Sequence, residues 1–306
     1  MKRFLRHLAL AAGLAIPAAG RALAQVPDLA PLEVNVNGGK YLNDSKTILI
    51  PTVNLYLAIE GTAWSTGKSQ GNNVKTKGKY AVRGIDKAWA QGLSRQIHDD
   101  LVGRLKAEGY TVLTYGDIKG DENVVSIGRR KADEHYPLPK VGDKVMTIDY
   151  LLAAPSDEQA FKPPLQGPHW AFRGAAKGHD AVVLIPEYWI LTPQMWGEKE
   201  EGYKRVSTSI NIAPGMNLRA AWIWFINPKA AGGTIQTKSE TRNVTETAGT
   251  VSETGSNEID AGWLKQTSAS WKMTIDPTAY GAGVLRAAGA VNKAVIEAMK
   301  KENAKG

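Results

Sequence analysis

The stretch DKAWAQGLSRQIHDDLVGRLKAEGYTVLTY, residues 86–115, decides the fold class. Its apolar residues Trp89, Leu93, Ile97, Leu101 and Leu105 fall four apart, with Val102 beside them, which places them on one face of a helix. Asp86 suits the N-cap and Gly109 the position just past the helix end. His98 lies nine residues after Trp89, half a turn round the helix, and is expected to face solvent. YTVLTY, residues 110–115, then reads as a strand. Upstream, KTILIPTVNLYLAI (46–59) is a β-rich run in which Pro51 forces either an edge or a break. Strand, polar excursion, amphipathic helix and strand in that order predict a βαβ-like unit whose helix covers one face of a sheet.

The C-terminal half continues the sheet. DAVVLIPEYWIL (180–191) is apolar on both faces, as an interior strand requires. NLRAAWIWFIN (217–227) alternates: Leu218, Ala220, Trp222, Trp224 and Ile226 share one face, Arg219, Ala221, Ile223 and Phe225 the other. A turn at NPKAAGG and a Thr-rich return predict a hairpin. KVMTIDYLLA (144–153) and SASWKMTID (268–276) read as further strands, the second short, and residues 277–301 as a helix buried along Val284, Ala288, Val291, Val295 and Ala298. Three stretches carry no apolar period and read as loops: residues 60–80, the acidic segment after Leu191, and TAGTVSETGSNEIDAG (247–262). The expected fold is α+β, an α/β sandwich: a mostly antiparallel sheet with two amphipathic helices packed on one face. It forms a single domain over residues 46–302, with a surface insertion at 116–180 and an N-terminal extension at 25–45.

Residues 1–24 carry the marks of an export signal. Lys2, Arg3 and Arg6 form a positive start, residues 8–16 an apolar core, and Ala22-Leu23-Ala24 a small-x-small cleavage site. The expectation is cleavage after Ala24 and a periplasmic location. No stretch reaches the roughly 20 apolar residues of a membrane helix. Cysteine is absent, which removes disulfides, thiolate metal sites and a cysteine nucleophile. The formal charge of +8 owes four of its 38 basic residues to the signal, leaving 34 Lys and Arg against 30 Asp and Glu. That excess is too small and too scattered to predict nucleic-acid binding, and Arg129-Arg130-Lys131 reads as a solvated loop.

Motifs for chemistry are few. GTAWSTGKS (61–69) has five residues between Gly61 and Gly67 where a phosphate-binding loop has four, and no helix follows. The four His beyond the signal, His98, His135, His169 and His179, show no metal-ligand spacing, and no GxSxG elbow is present. The reading assigns no catalytic residue, metal or cofactor. Glu187 is the most informative carboxylate: it shares a strand face with Val183 and Ile185, and Pro186 suggests that it sits at a disturbed strand end. Of nine Trp, Trp89, Trp222, Trp224 and Trp271 fall on faces assigned to packing. Trp64, Trp170, Trp196 and Trp263 fall in predicted loops or at strand ends, where an exposed indole invites a partner. The candidate contact residues are Trp64, Trp170, Glu187 and Trp196. His179 and Asp180 are placed to orient one another.

The order KTILIPTVNLYLA, helix GLSRQIHDDLVGRLKAEG, strand YTVLTYGDI resembles the periplasmic α/β domain of the curli-export channel lipoproteins and their relatives, including the penicillin-binding-protein activator lipoproteins. HDAVVLIPEYWIL, NLRAAWIWFINPKAAGGTI and AAGAVNKAVIEAMKK have counterparts there. Together they cover about half of the chain beyond the signal. Three features depart from that pattern: the lipid-bearing Cys is missing, Glu187 replaces a Gly, and residues 61–83 and 232–255 are too polar for lipid-facing hairpins. The resemblance implies the fold and an envelope role, and carries over no functional residue. The function expected is a soluble, non-catalytic periplasmic accessory or binding protein of a cell-envelope assembly or export system. Its partner would be an envelope protein or a glycan, and a homo-oligomer is compatible with it. The competing expectation is a glycan- or peptidoglycan-active hydrolase using Glu187, His169, His179 or Asp180.

Overall fold

The computed structural model describes residues 29, 32–43, 45–69, 72–130, 135–138, 146–202, 205–238, 242–245, 247–260 and 264–305. Residues 1–24, read as an export signal, and Trp263 lie outside the described residues. Val34–Asn37 (β1) and Thr47–Ile50 (β2) precede a break at residues 51–53, after which Asn54–Ser69 (β3) turns back into Asn72–Arg83 (β4). Lys87–Ala107 (α1) leads to Thr111–Thr114 (β5) and two single-turn helices, Tyr115–Ile118 (α2) and Glu122–Val125 (α3). His135–Leu138 (β6) and Met146–Ala153 (β7) come next, then a 3-10 turn at Pro168–Phe172 running into Arg173–Gly178 (α4). The remainder is Val182–Leu191 (β8), Gln194–Gly202 (β9), Arg205–Ala213 (β10), Met216–Ile226 (β11) and Gly232–Thr237 (β12), then Arg242–Thr245 (β13), Gly249–Asp260 (β14), Leu264–Ile275 (β15) and Pro277–Asn303 (α5).

Strand outweighs helix, 48% against 31%, so a sheet organises this mixed α/β chain. The main path of the large sheet runs β1-β12-β11-β8-β3-β4-β15-β14. Most ladders are antiparallel; β2–β5, β2–β8, β3–β8 and β4–β15 are parallel. The break at Pro51 lets one run serve two neighbours: β2 lies beside β5 and β3 beside β7, while both flank β8.

Helix α1 forms as its spacing predicts. The Asp86 carboxylate accepts from Trp89 N at 2.8 Å, and Gly109 takes φ +82° past the last turn, a conformation that costs a residue with a Cβ. Leu93, Ile97, Leu101 and Leu105 join Leu55, Leu57, Leu184, Tyr188 and Ile190 of the sheet and Val284, Val291 and Val295 of α5 in one apolar cluster. Asn292 of α5 ties both helices to the sheet. It accepts from Tyr188 Oη and donates to Ile97 O at 3.3 Å and Asp100 Oδ2 at 2.8 Å.

His98 departs from expectation: it is buried at 8% exposure, with Nδ1 3.0 Å from Asp99. Trp89 marks only one edge of the stripe. Ser94 and Val102, one turn to either side of His98, are buried too, and Ser94 Oγ donates to Val53 O at 2.9 Å, so the buried stripe is centred on the sheet side of α1 and is wider than the Trp89 row.

The three stretches read as loops are mostly long strands. Residues 60–69 belong to β3 and 72–80 to its antiparallel partner β4, residues 194–202 and 205–213 to β9 and β10, and residues 249–260 to β14. β15 is correspondingly longer than the short strand expected. β3, β4, β9 and β10 lack an apolar alternation because they pack on each other largely through small polar groups, and β14 because residues 252–260 face water. Thr76 Oγ1 donates to Thr208 O at 2.9 Å, and Ser65 Oγ to Glu198 O at 3.4 Å, so β9–β10 lies across β3–β4. Gly78 makes room for the stack: a Cβ there would lie 2.7 Å from Ile210 Cγ2 and 2.8 Å from Trp271 Cζ3. Gly78→Val is therefore expected to cost about 1–3 kcal/mol by overpacking. Hydrogen exchange should quicken in β10 and remain unchanged in α1.

On the opposite face of β8, Leu49, Phe161, Phe172, Ala175, Ala176, Val183, Ile185 and Ile226 form a second cluster. The 3-10 turn and α4 thus cover one part of that face. Beside them sits the site.

Candidate functional site

β8 is buried along its whole length, and Glu187 stands in its middle, 6% exposed. The strand-end reading is wrong. Pro186 does not disturb the ladder because Leu49 pairs with Val183 and Asn54 with Glu187. Residues 184–186 therefore fall opposite the break at 51–53, where no partner on that side requires the missing N–H.

A carboxylate in such a position must be supplied with donors. Asn54 Nδ2 and Tyr56 Oη donate to Oε1 at 3.4 and 3.2 Å, and Trp224 Nε1 donates to Oε2 at 3.0 Å. Arg130 Nη1 in turn donates to Tyr56 Oη at 3.4 Å. Arg130 is thus a buried cation beside the carboxylate, 6% exposed, and the solvated-loop reading fails for it. Burial raises the Glu187 pKa above the ordinary carboxylate range, and the donors and Arg130 offset only part of that rise.

Aromatic rings surround the carboxylate. Tyr56 stacks on Trp189 at 3.7 Å between centroids, and Trp222 meets Trp189 and Trp224 edge-on at 5.9 and 6.2 Å. His169 stacks on Trp224 at 5.3 Å, with 12° between the planes, and Trp170 lies 5.7 Å from His169. His169 is 5% exposed, and burial lowers its pKa to about 4. Its Nδ1, the Asn54 Oδ1 and the Trp189 Nε1 are buried without a hydrogen-bond partner among the described residues. Such orphaned groups are rare in folded proteins.

Only part of the candidate set comes together. Glu187 and Trp170 are joined through Trp224 and His169. Trp64 stands on β3, half-buried and opposite Lys77. Trp196 stands on β9, 41% exposed, with its Nε1 on Glu198 Oε1 at 3.0 Å. Both are strand residues, contrary to the loop reading. His179 and Asp180 do not orient one another: His179 Nε2 lies 3.1 Å from Asp121 Oδ2, and Asp180 occupies a left-handed turn at φ +45°, its carbonyl accepting from Ser45 Oγ at 2.6 Å.

Sequence reasoning missed Asn54, Tyr56, Arg130 and Trp224. Trp224 was placed on the correct strand and face, but alternation says only that a side chain is inward. It says nothing about what the indole N–H meets. Among the described residues no group of three His, Asp or Glu is close enough to hold a metal ion.

The sequence matches no family model, and comparisons with curated proteins and with solved structures find no match.

Proposed function

We propose that this chain is an exported, non-catalytic accessory or binding component of a cell-envelope assembly or export system. The observation that carries the reading is the array of long polar hairpins β3–β4, β9–β10 and β14–β15. β14 is the last strand on the main sheet path, and residues 252–260 are exposed along it. A twelve-residue edge strand is a template for pairing with another chain, and these hairpins bear acids and amides that contribute nothing to the core. The export signal in residues 1–24 supports the location.

The test is recovery of partners from periplasmic and outer-membrane fractions with the tagged chain and with a Glu253→Lys/Glu258→Lys variant, both positions being exposed. The expected result is a protein partner retained by the unaltered chain and lost from the variant. Recovery of no partner, together with turnover of peptidoglycan or polysaccharide, would sink the reading. It would favour the second one, a hydrolase, for which the specific support is a buried carboxylate of raised pKa joined to His169 through Trp224.

A further inference from the structure

We infer that the cleft beside Trp170 is a binding site for an acidic saccharide, a ligand that combines sugar rings with carboxylates. The inference rests on the exported-binding-protein reading only for where such a ligand is met. The cleft has a volume of about 880 Å³, within the range of small-molecule sites. Its apolar wall is the half-buried indole of Trp170 with Pro163 and Pro164, and its polar rim is Asn123, Ser126 and Gln166. Two cations, Lys162 and Arg173, line it, and no acid does.

The charge is the informative part. Neither Lys162 nor Arg173 forms an ion pair among the described residues, and two acids of the neighbouring turns are occupied elsewhere. Asp121 is taken by His179 and by the backbone and side chain of Asn123, and Asp157 by Lys87 and Gln91. The cleft therefore presents two uncompensated positive charges beside an aromatic face. An indole stacks on the C–H face of a sugar ring, amides and a hydroxyl match its hydroxyl groups, and Lys and Arg match a carboxylate. A neutral sugar would use only half of these groups, and a bare anion would leave the indole and prolines uncovered.

The walls are held in place before any ligand arrives, which lowers the ordering cost of binding. Lys162 N donates to Gly128 O at 2.8 Å and Arg130 N to Ala160 O at 2.7 Å, so residues 128–130 and 160–162 form a short paired rim. The Arg129 guanidinium sits over the Phe161 ring at 4.1 Å. Gly167 N bonds Pro164 O at 3.1 Å, closing the turn that delivers Trp170. Asn123 packs against Gly174, where a Cβ would come within 2.4 Å of Asn123 Oδ1.

The probe is trigalacturonate, titrated calorimetrically into the chain beginning at Gln25, with the neutral galactose trimer and inorganic phosphate as controls. The acidic trimer is expected to bind at least about tenfold more tightly than the neutral one, and the preference should weaken with added salt. Lys162→Gln/Arg173→Gln, changed at two exposed positions, should abolish the preference with the thermal unfolding midpoint unaltered. Trp170→Ala should weaken binding of both trimers. Equal affinity for the two trimers, phosphate binding as tightly as the acidic trimer, full affinity in the double variant, or no heat with any probe would each overturn the inference. The double variant should still recover the protein partner. Loss of saccharide binding with retained partner, or the reverse, separates failure of the cleft from failure of the accessory reading.

Discussion

Glu187→Ala is expected to destabilise the protein by about 3–5 kcal/mol, the scale for removing one member of a buried, donor-supplied charge cluster. The substitution removes the acceptor of three donors at once, Asn54 Nδ2, Tyr56 Oη and Trp224 Nε1, and takes a carboxylate from beside the buried Arg130. Glu187→Gln keeps the shape and one acceptor but turns an amide N–H₂ toward a donor, and should cost about 1–2 kcal/mol. Urea unfolding at fixed pH measures both. A loss below that of Glu187→Gln in the alanine variant would mean that the donors find other partners. The pH dependence has a definite sign. Because the folded-state pKa of Glu187 lies above the unfolded value, its contribution is fully present below about pH 4.5 and is lost as pH rises through the folded value. The cost of Glu187→Gln relative to the unaltered protein should therefore be largest in acid and shrink as pH increases.

His169 works in the opposite direction. Its pKa falls from 6.5 to about 4 on folding, so between those values the unfolded chain binds the extra proton. Stability should then fall as pH drops through that window, by about 3 kcal/mol in all. Protonation would place a cation against the Trp224 ring inside an apolar setting, next to the tight turn at Gly167 and to Gly232, whose Cβ would meet His169 Cδ2 at 2.9 Å. His169→Gln should flatten the slope of unfolding free energy between pH 6.5 and 4, whatever it does to stability at neutral pH. An unchanged slope would show that His169 titrates at its ordinary value. Trp fluorescence along the same series reads the stack directly, since Trp224 is its other member.

The elements that were legible in the sequence are those whose faces differ. α1 and α5 show their buried stripes at intervals of three and four, and Asp86 and Gly109 mark the ends of α1 as they do in space. β8 reads as interior because both its faces are apolar, and β11 reads as the first arm of a hairpin because its residues alternate. β14 and the distal half of the β3–β4 hairpin have no such contrast. Their sides meet water or another polar hairpin, so Thr, Ser, Gly and Lys serve as well as Val, and the pattern resembles a loop. His98 was misplaced for a different reason: the row that starts at Trp89 marks one edge of the buried stripe, and how far the stripe extends round α1 depends on how the helix sits on the sheet.

What the sequence by itself determined is the mixed α/β character of the fold and the position of its helices and central strands, since hydrophobic period and caps are local properties. It also singled out Glu187 and Trp170. Only the tertiary structure decided what they do there. Asn54, Tyr56, Arg130, His169, Glu187 and Trp224 come from separate parts of the chain, and the distances that make one carboxylate buried, donor-supplied and raised in pKa exist only after the sheet has brought those parts together.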